Sequence, residues 1–176
     1  MDETDEILDV FDEGEQQIGT IRRGDIGTLQ PGGGRYIRSV DAFIQRPNGD
    51  IWVPTRSQSK SIAPGGLDYS VGGHLGHGED YMHCLIREFQ EEAGIALSEE
   101  TVRQIGASDP SENGSIYFNR LYLFVTDKEP HLSAEHTSGE WMKSNELINR
   151  LRSGAKAKQS LIRSAQTLTQ YDKLLT

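Results

Sequence analysis

The chain has 176 residues, 35% of them apolar and 26% charged, and a formal net charge of −9. That length suits one domain with a real core, no apolar run is long enough to cross a membrane, and the acidic balance argues against stable nucleic-acid binding, which needs clustered Lys and Arg. Cys84 is the single cysteine, which excludes an intrachain disulfide and a Cys-based zinc site and predicts a reducing, cytoplasmic setting.

Residues 1–15 hold eight acids and no base, whereas residues 143–176 hold seven bases and two acids. Both read as solvated surface, and a polyanionic small molecule would need a bound cation or a local Arg/Lys patch to receive it. The opening "MDETDEILDV" has neither the basic region nor the apolar run of a signal peptide. Next, "ILDVFDEGEQQIGTIRR" predicts two short strands around an "EGEQ" turn. "PGGGRYIRSVDAFIQRPNGDIWVPTR" reads as two strands joined by Asn48-Gly49, a strong hairpin signal. The turn-rich "SQSKSIAPGGLDYSVGG" leaves room for a short strand at 68–71.

A helix is predicted over 79–93, with Met82, Leu85, Ile86, Phe89 and Ala93 as its apolar stripe and Gly94 as its stop. "SIYFNRLYLFVT" is the best strand in the chain, and "GEWM" suggests another. Helices at 144–152 and 158–174 close the sequence. Strands on both sides of a central helix, followed by terminal helices, predict an α/β (α+β) sandwich with a mixed central sheet, one domain over 1–176, rather than a repeating βαβ fold.

The central helix poses a physical problem. Glu88, Glu91 and Glu92 fall within about one turn, and like charges at i, i+3 and i+4 weaken a helix by a few tenths of a kcal/mol per pair. Carboxylate oxygens are what Mg²⁺ and Mn²⁺ prefer, so a divalent cation could offset the repulsion. A merely solvated acidic face is common, however, and three Glu residues alone decide nothing.

The wider spacing is more specific. Gly73, five free positions, Glu79, seven free positions, then Arg87-Glu88-Phe89-x-Glu91-Glu92-x-Gly94-Ile95 reproduces the whole Nudix box. Average residue frequencies put such a match by chance at on the order of one in ten million chains of this length. The sequence resembles the Nudix hydrolases over about residues 35–150. The resemblance implies a Nudix-type α/β/α sandwich and metal-dependent cleavage of a phosphoanhydride in nucleoside di- or triphosphates or related diphosphates, with Mg²⁺ or Mn²⁺ as cofactor.

By the same resemblance the Gly73 carbonyl and the carboxylates of Glu88, Glu91 and Glu92 hold metal, and one of the Glu residues activates water. Arg87 orients a carboxylate, while Glu79 and Gly94 are structural. In "SAEHTSGEWM", Glu135 is placed like the extra acid that mutator-type pyrophosphohydrolases take from outside the box, with Glu140 and Glu129 in reserve. The segments "VFDEGEQQIGTIRR" and "DIWVPTRSQSKSIAPGGLDYSVGGHL" resemble the relatives of isopentenyl-diphosphate isomerase, in which an Arg and a Lys matching Arg56 and Lys60 grip the diphosphate.

The isomerase's catalytic Cys is absent, since Gly72 stands there. Its His-rich metal site is also missing: Arg35-Tyr36 occupy a position where a His is expected, and 114–126 contains no carboxylate. Cys84 reads as a packing residue inside the helix. His74 and His77 read as loop histidines, and Trp52, Tyr117, Phe118 and Tyr122 as core or cleft wall. An isomerase and a non-catalytic nucleotide sensor stay open as alternatives. A homodimer is compatible with the sequence, although no residue calls for one.

Overall fold

The computed structural model describes residues 3–174. The N-terminal hairpin pairs β1 (Ile7–Phe11) with β2 (Gln17–Arg22), antiparallel, around the expected turn. The main sheet contains β3 (Ile37–Gln45), β4 (Asp50–Arg56), β5 (Val71–His74), β6 (Val102–Ser108), β7 (Tyr117–Val125) and β8 (His136–Lys143). Its order is β6-β7-β3-β4-β8, with β5 on β3; the β3–β7 pair is parallel and the others are antiparallel, so the sheet is mixed as expected.

Among the described residues the α-helices are α1 (Tyr81–Glu88), the short α2 (Pro110–Asn113), α3 (Ser144–Arg152) and α4 (Leu161–Leu174). Alternation on β3 sets the layers. Val40, Ala42 and Ile44 face α1 together with Val71, Tyr122 and Phe124. Phe43, Leu121 and Leu123 face the opposite way, against Leu147, Ile148, Leu161, Ala165 and Leu168 of α3 and α4. The result is a sandwich of helix, sheet and helix. Each fully buried Leu or Phe in these layers contributes roughly 1.5–3 kcal/mol of transfer free energy. Among the described residues no helix is long and apolar enough to cross a membrane.

Several boundaries differ from the sequence reading. The strand expected at 68–71 lies at Val71–His74, because Asp68 is buried in a charge cluster and Ser70 bridges two strands. The β6 strand was not foreseen: of its seven residues only Val102 is buried, so it shows no apolar alternation. "GEWM" is the end of a longer strand, β8. The last helix starts at Leu161 instead of 158, because the backbone before it is tied to Leu67 on both sides, by Leu67 N–H to the Lys156 carbonyl (2.8 Å) and Lys158 N–H to the Leu67 carbonyl (3.2 Å).

The sheet forks beside β5. The β3–β4 register retains only the pair Gln45–Ile51, and the two strands then diverge. Ser70 fills the fork: its hydroxyl donates to the Trp52 carbonyl (2.5 Å) and accepts from Ile44 N–H (2.9 Å). Beyond it, β3 and β7 turn polar on the α3/α4 face, at Ser39, Asp41 and Asn119. Polar side chains in mid-strand, where a core would be apolar, mark this end of the sheet as a candidate site.

Candidate active site

The helix α1 starts where Asp80 caps it, its carboxylate accepting from His83 N–H at 2.8 Å. Its stripe buries Cys84, Leu85 and Phe89 against the sheet. After Glu88 the backbone widens into a π-type turn, Phe89–Ala93, closed by Gly94 in the left-handed region (φ 65°), whose N–H bonds to the Phe89 carbonyl. A wide turn takes more residues per revolution than an α-turn, so Glu91 and Glu92 do not stack directly beneath Glu88 as an ideal helix would place them. Glu88 is buried, Glu91 is 59% exposed at its side chain, and Glu92 reaches the edge of β5.

The strand β5 and the helix meet through two glycines. A Cβ on Gly73 would overlap Glu88 Oε1 and stand 2.7 Å from its Cγ, so only glycine lets the carboxylate lie against this strand. On the adjacent residue, Gly72 N–H donates to Glu92 Oε2 at 2.9 Å. A Cβ on Gly72, projecting to the other face, would meet Asp41 Oδ1 at 2.7 Å.

Arg87 ties the carboxylates together. Its Nε donates to Glu79 Oε1 (3.0 Å) and its Nη2 to Glu79 Oε2 (2.9 Å) and the His74 carbonyl (3.1 Å). Its Nη1 reaches Glu88 Oε1 (2.7 Å) and Glu91 Oε2 (3.2 Å). Glu79 in turn accepts from Gly76 N–H (2.9 Å), bracing the loop before the helix. Arg87 and its hydrogen bonds, with Gly76 N–H, hold the Glu79 carboxyl below its ordinary value against the opposing effect of burial.

Electrostatics single out two glutamates. Burial pushes the Glu88 carboxyl up to about 7, despite Arg87 alongside. Burial and the neighbouring Glu88 charge push Glu92 well above the usual carboxylate range. Crowded, buried carboxylates are hard oxygen donors of the kind a divalent ion prefers. Among the described residues no three such donors are drawn close enough to share an ion as they stand, because Glu88 and Glu91 are turned onto Arg87 and Glu92 onto Gly72 N–H.

The outer wall comes from β4 and β8. Glu135, just before β8, pairs with Lys60 Nζ at 2.7 Å, and this partner offsets its burial and holds its carboxyl below the ordinary range. Its charge adds a minor contribution to the upward push on Glu92, after burial and Glu88. Glu140 and Glu129 are engaged elsewhere, by Arg150 (2.5 Å) and by Trp141 (3.0 Å) with Arg46.

Arg56 has its guanidinium engaged inside the protein. It is buried, ion-paired with Asp68, and donates from Nε to the Ile62 carbonyl (2.7 Å). This position separates it from Lys60, four residues on, which stays beside Glu135.

Sequence reasoning missed the charges on the far face of β5. Lys158 Nζ lies 3.0 Å from Asp68 Oδ1 and 3.7 Å from where a Gly72 Cβ would stand. Burial raises the Asp41 carboxyl to about 7 against the pull of Lys158, while Asn119 Nδ2 donates to it at 2.8 Å. Lys158, His136 and Arg56 together overcome burial at Asp68 and hold its carboxyl far below the usual range. His74 stacks on Tyr117 (5.5 Å, 15°), and burial drops its pKa to about 3, so it stays neutral. His77 pairs instead with Asp9 on the N-terminal hairpin (2.6 Å). Only the polar interruptions of β3 and β7 could have signalled Asp41 and Asn119, and nothing local signals Lys158.

The model of the NUDIX domain matches residues 35–164 of this chain. A Nudix hydrolase of Deinococcus radiodurans is 32% identical over 90% of this chain and 91% of its own length. A Nudix hydrolase of Nostoc, itself uncharacterised, is 34% identical over 92% and 94%. A crystal structure from Deinococcus radiodurans superposes with a TM-score of 0.81 at 32% identity, covering 92% of this chain and 98% of that one.

Proposed function

This chain belongs to the NUDIX family, whose matching relatives are named hydrolases, and from that premise we propose that it hydrolyses a phosphoanhydride bond in nucleoside di- or triphosphates or related nucleoside-diphosphate derivatives, with Mg²⁺ or Mn²⁺ as cofactor. The observation that carries the reading is the pair of crowded carboxylates, Glu88 and Glu92, packed on the Gly72-Gly73 strand.

The ion's ligands in this proposal are Glu88, Glu92 and Glu91, the carbonyl of Gly73, and Glu135 from the opposite wall. When bound there, a divalent cation neutralises phosphoryl oxygens and makes water a competent nucleophile near neutral pH. The chain's own groups do the rest. Arg87, held by Glu79, restrains and orients Glu88 and Glu91, two of the carboxylates that would hold the ion. Glu91, the most exposed of the box carboxylates, reaches solvent and orients the attacking water. Lys60, paired with Glu135, is the cation that would meet a substrate phosphate, and Glu135 would then be available as a further ligand. Arg56 acts indirectly, fixing the start of the Lys60 loop through Asp68 and the Ile62 carbonyl.

The isomerase reading lacks its catalytic Cys, because Gly72 stands there. A side chain at this position would also have to displace Asp41 Oδ1, which lies 2.7 Å from where its Cβ would stand. Incubating the full chain with Mg²⁺ and a panel of nucleoside di- and triphosphates tests the proposal. Release of phosphate, pyrophosphate or nucleoside monophosphate is expected for at least one member, and none for Glu92→Gln. No product across the panel, or a fully active Glu92→Gln variant, contradicts it.

A further inference from the structure

The chain contains two tryptophans, Trp52 and Trp141. They are direct partners across the β4–β8 ladder and pack beside the core on the α1 face, the face on which Glu88 lies. Their rings are 5.4 Å apart and tilted by 58°.

The two are held differently. Trp141 has both its ring and its N–H engaged: the Arg46 guanidinium lies 4.0 Å over the ring, and Nε1 donates to Glu129 at 3.0 Å. Trp52 is half-buried, and among the described residues its indole N–H has no protein partner. Its ring leans diagonally onto Gly139, where a Cβ would stand 2.6 Å from Cη2 and 2.7 Å from Cε2. Any side chain at 139 would lift the indole; glycine lets it lie flat on the β8 backbone.

The lean has a direction. Gly139 pairs with Pro54, two residues beyond Trp52 along β4, so the indole points toward the end of β8 that starts beside Glu135. The backbone of Trp52 is also locked to the cleft, since its carbonyl accepts from Ser70, two residues before the Gly72 N–H that holds Glu92. The indole thus leans toward the end of the sheet where the Lys60–Glu135 pair stands, and its own backbone is bonded to the segment that leads to the Glu92 contact.

We propose that Trp52, cradled on Gly139, is the stacking platform for the nucleobase of the substrate, with the diphosphate directed toward Lys60 and the glutamates; this rests on the hydrolase reading above. Stacking on an indole suits any base, because every base has a π-face, and its N–H can donate to a base carbonyl or ribose oxygen.

Because Trp52 and Trp141 are the chain's two indoles, fluorescence of a Trp141→Phe variant isolates Trp52. Titration with nucleoside diphosphates is expected to quench it saturably, whereas inorganic pyrophosphate, which carries no ring, is not. In steady state, Trp52→Leu should raise KM for the nucleotide roughly tenfold or more. It should change kcat little and leave the inhibition constant of pyrophosphate as it was. Trp52→Phe should recover most of the loss, and Gly139→Ala should reproduce it. Equal quenching by pyrophosphate, or an unaltered nucleotide KM in folded Trp52→Leu, overturns the platform. If no nucleotide is hydrolysed the reaction assignment fails by itself, and the fluorescence titration still decides: ring-dependent quenching supports the platform and its absence overturns it.

Discussion

Glu88 stands at the centre of the proposed site, and its burial gives it a definite pH signature. Its folded carboxyl is raised by burial from 4.5 to about 7. Ionising it therefore costs the ion-free native state: the stability it contributes is complete below the unfolded value and is lost as pH rises through the folded one. The melting temperature in EDTA should consequently fall between pH 4.5 and about 7, with a shallower slope for Glu88→Gln. Asp41, also raised by burial to about 7, adds to the slope in the same sense, so the variant flattens it without abolishing it. A slope unchanged by Glu88→Gln would show that this carboxyl is not perturbed as described.

Gly73 offers a second test at this scale. Gly73→Ala forces the Glu88 side chain off the strand, which should cost roughly 1–3 kcal/mol of stability and most of the turnover. Wild-type kinetics in that variant would contradict the close approach of strand and carboxylate. Both residues were legible in the sequence because the box fixes their spacing. Lys158 was not: it is one base in a basic tail, and its role exists only because α4's leading segment is bonded to Leu67.

At the scale of the element, the end of α1 is where the sequence reading and the structure part. Apolar spacing and the Gly94 stop identified the helix, yet the same periodicity fits an α-turn or a wider one, so it could not reveal how Glu91 and Glu92 are offset. Gly94 holds that turn at φ 65°, and a Cβ there would press on the His131 ring at 2.9 Å. Gly94→Ala should destabilise the fold by about 1 kcal/mol or somewhat more in urea unfolding. A neutral result would mean the turn is not pinned at this residue. The β6 strand escaped detection for a related reason: it is an outer strand that buries little, and burial is what writes alternation into a sequence. The Asn48-Gly49 hairpin was legible because its turn chemistry is local, with Gly49 at φ 84°.

Across the whole molecule, Asp68 joins segments that no local pattern connects. Arg56 of β4, His136 of β8 (3.7 Å) and Lys158 before α4 (3.0 Å) all converge on its carboxylate. A buried carboxylate shared by Arg56, Lys158 and a histidine leaves the two cations uncompensated when it is neutralised, so Asp68→Asn should cost on the order of 3–5 kcal/mol. Denaturant unfolding checks this, and a cost near zero would show that the cluster is solvated. The layered sandwich itself was readable from the order of strands and helices. The cleft was readable only on the side carried by the box, because its opposite wall is assembled from residues far apart in the chain.

The most direct measurement is calorimetric titration of Mn²⁺ into the full chain with a non-hydrolysable nucleotide present, for wild type, Glu88→Gln and Glu92→Gln. Saturable uptake by the wild type is predicted, weakened at least about tenfold in each variant while circular dichroism stays unchanged. Equal uptake by all three proteins, or none by the wild type, would contradict the assignment of these glutamates as the cation site.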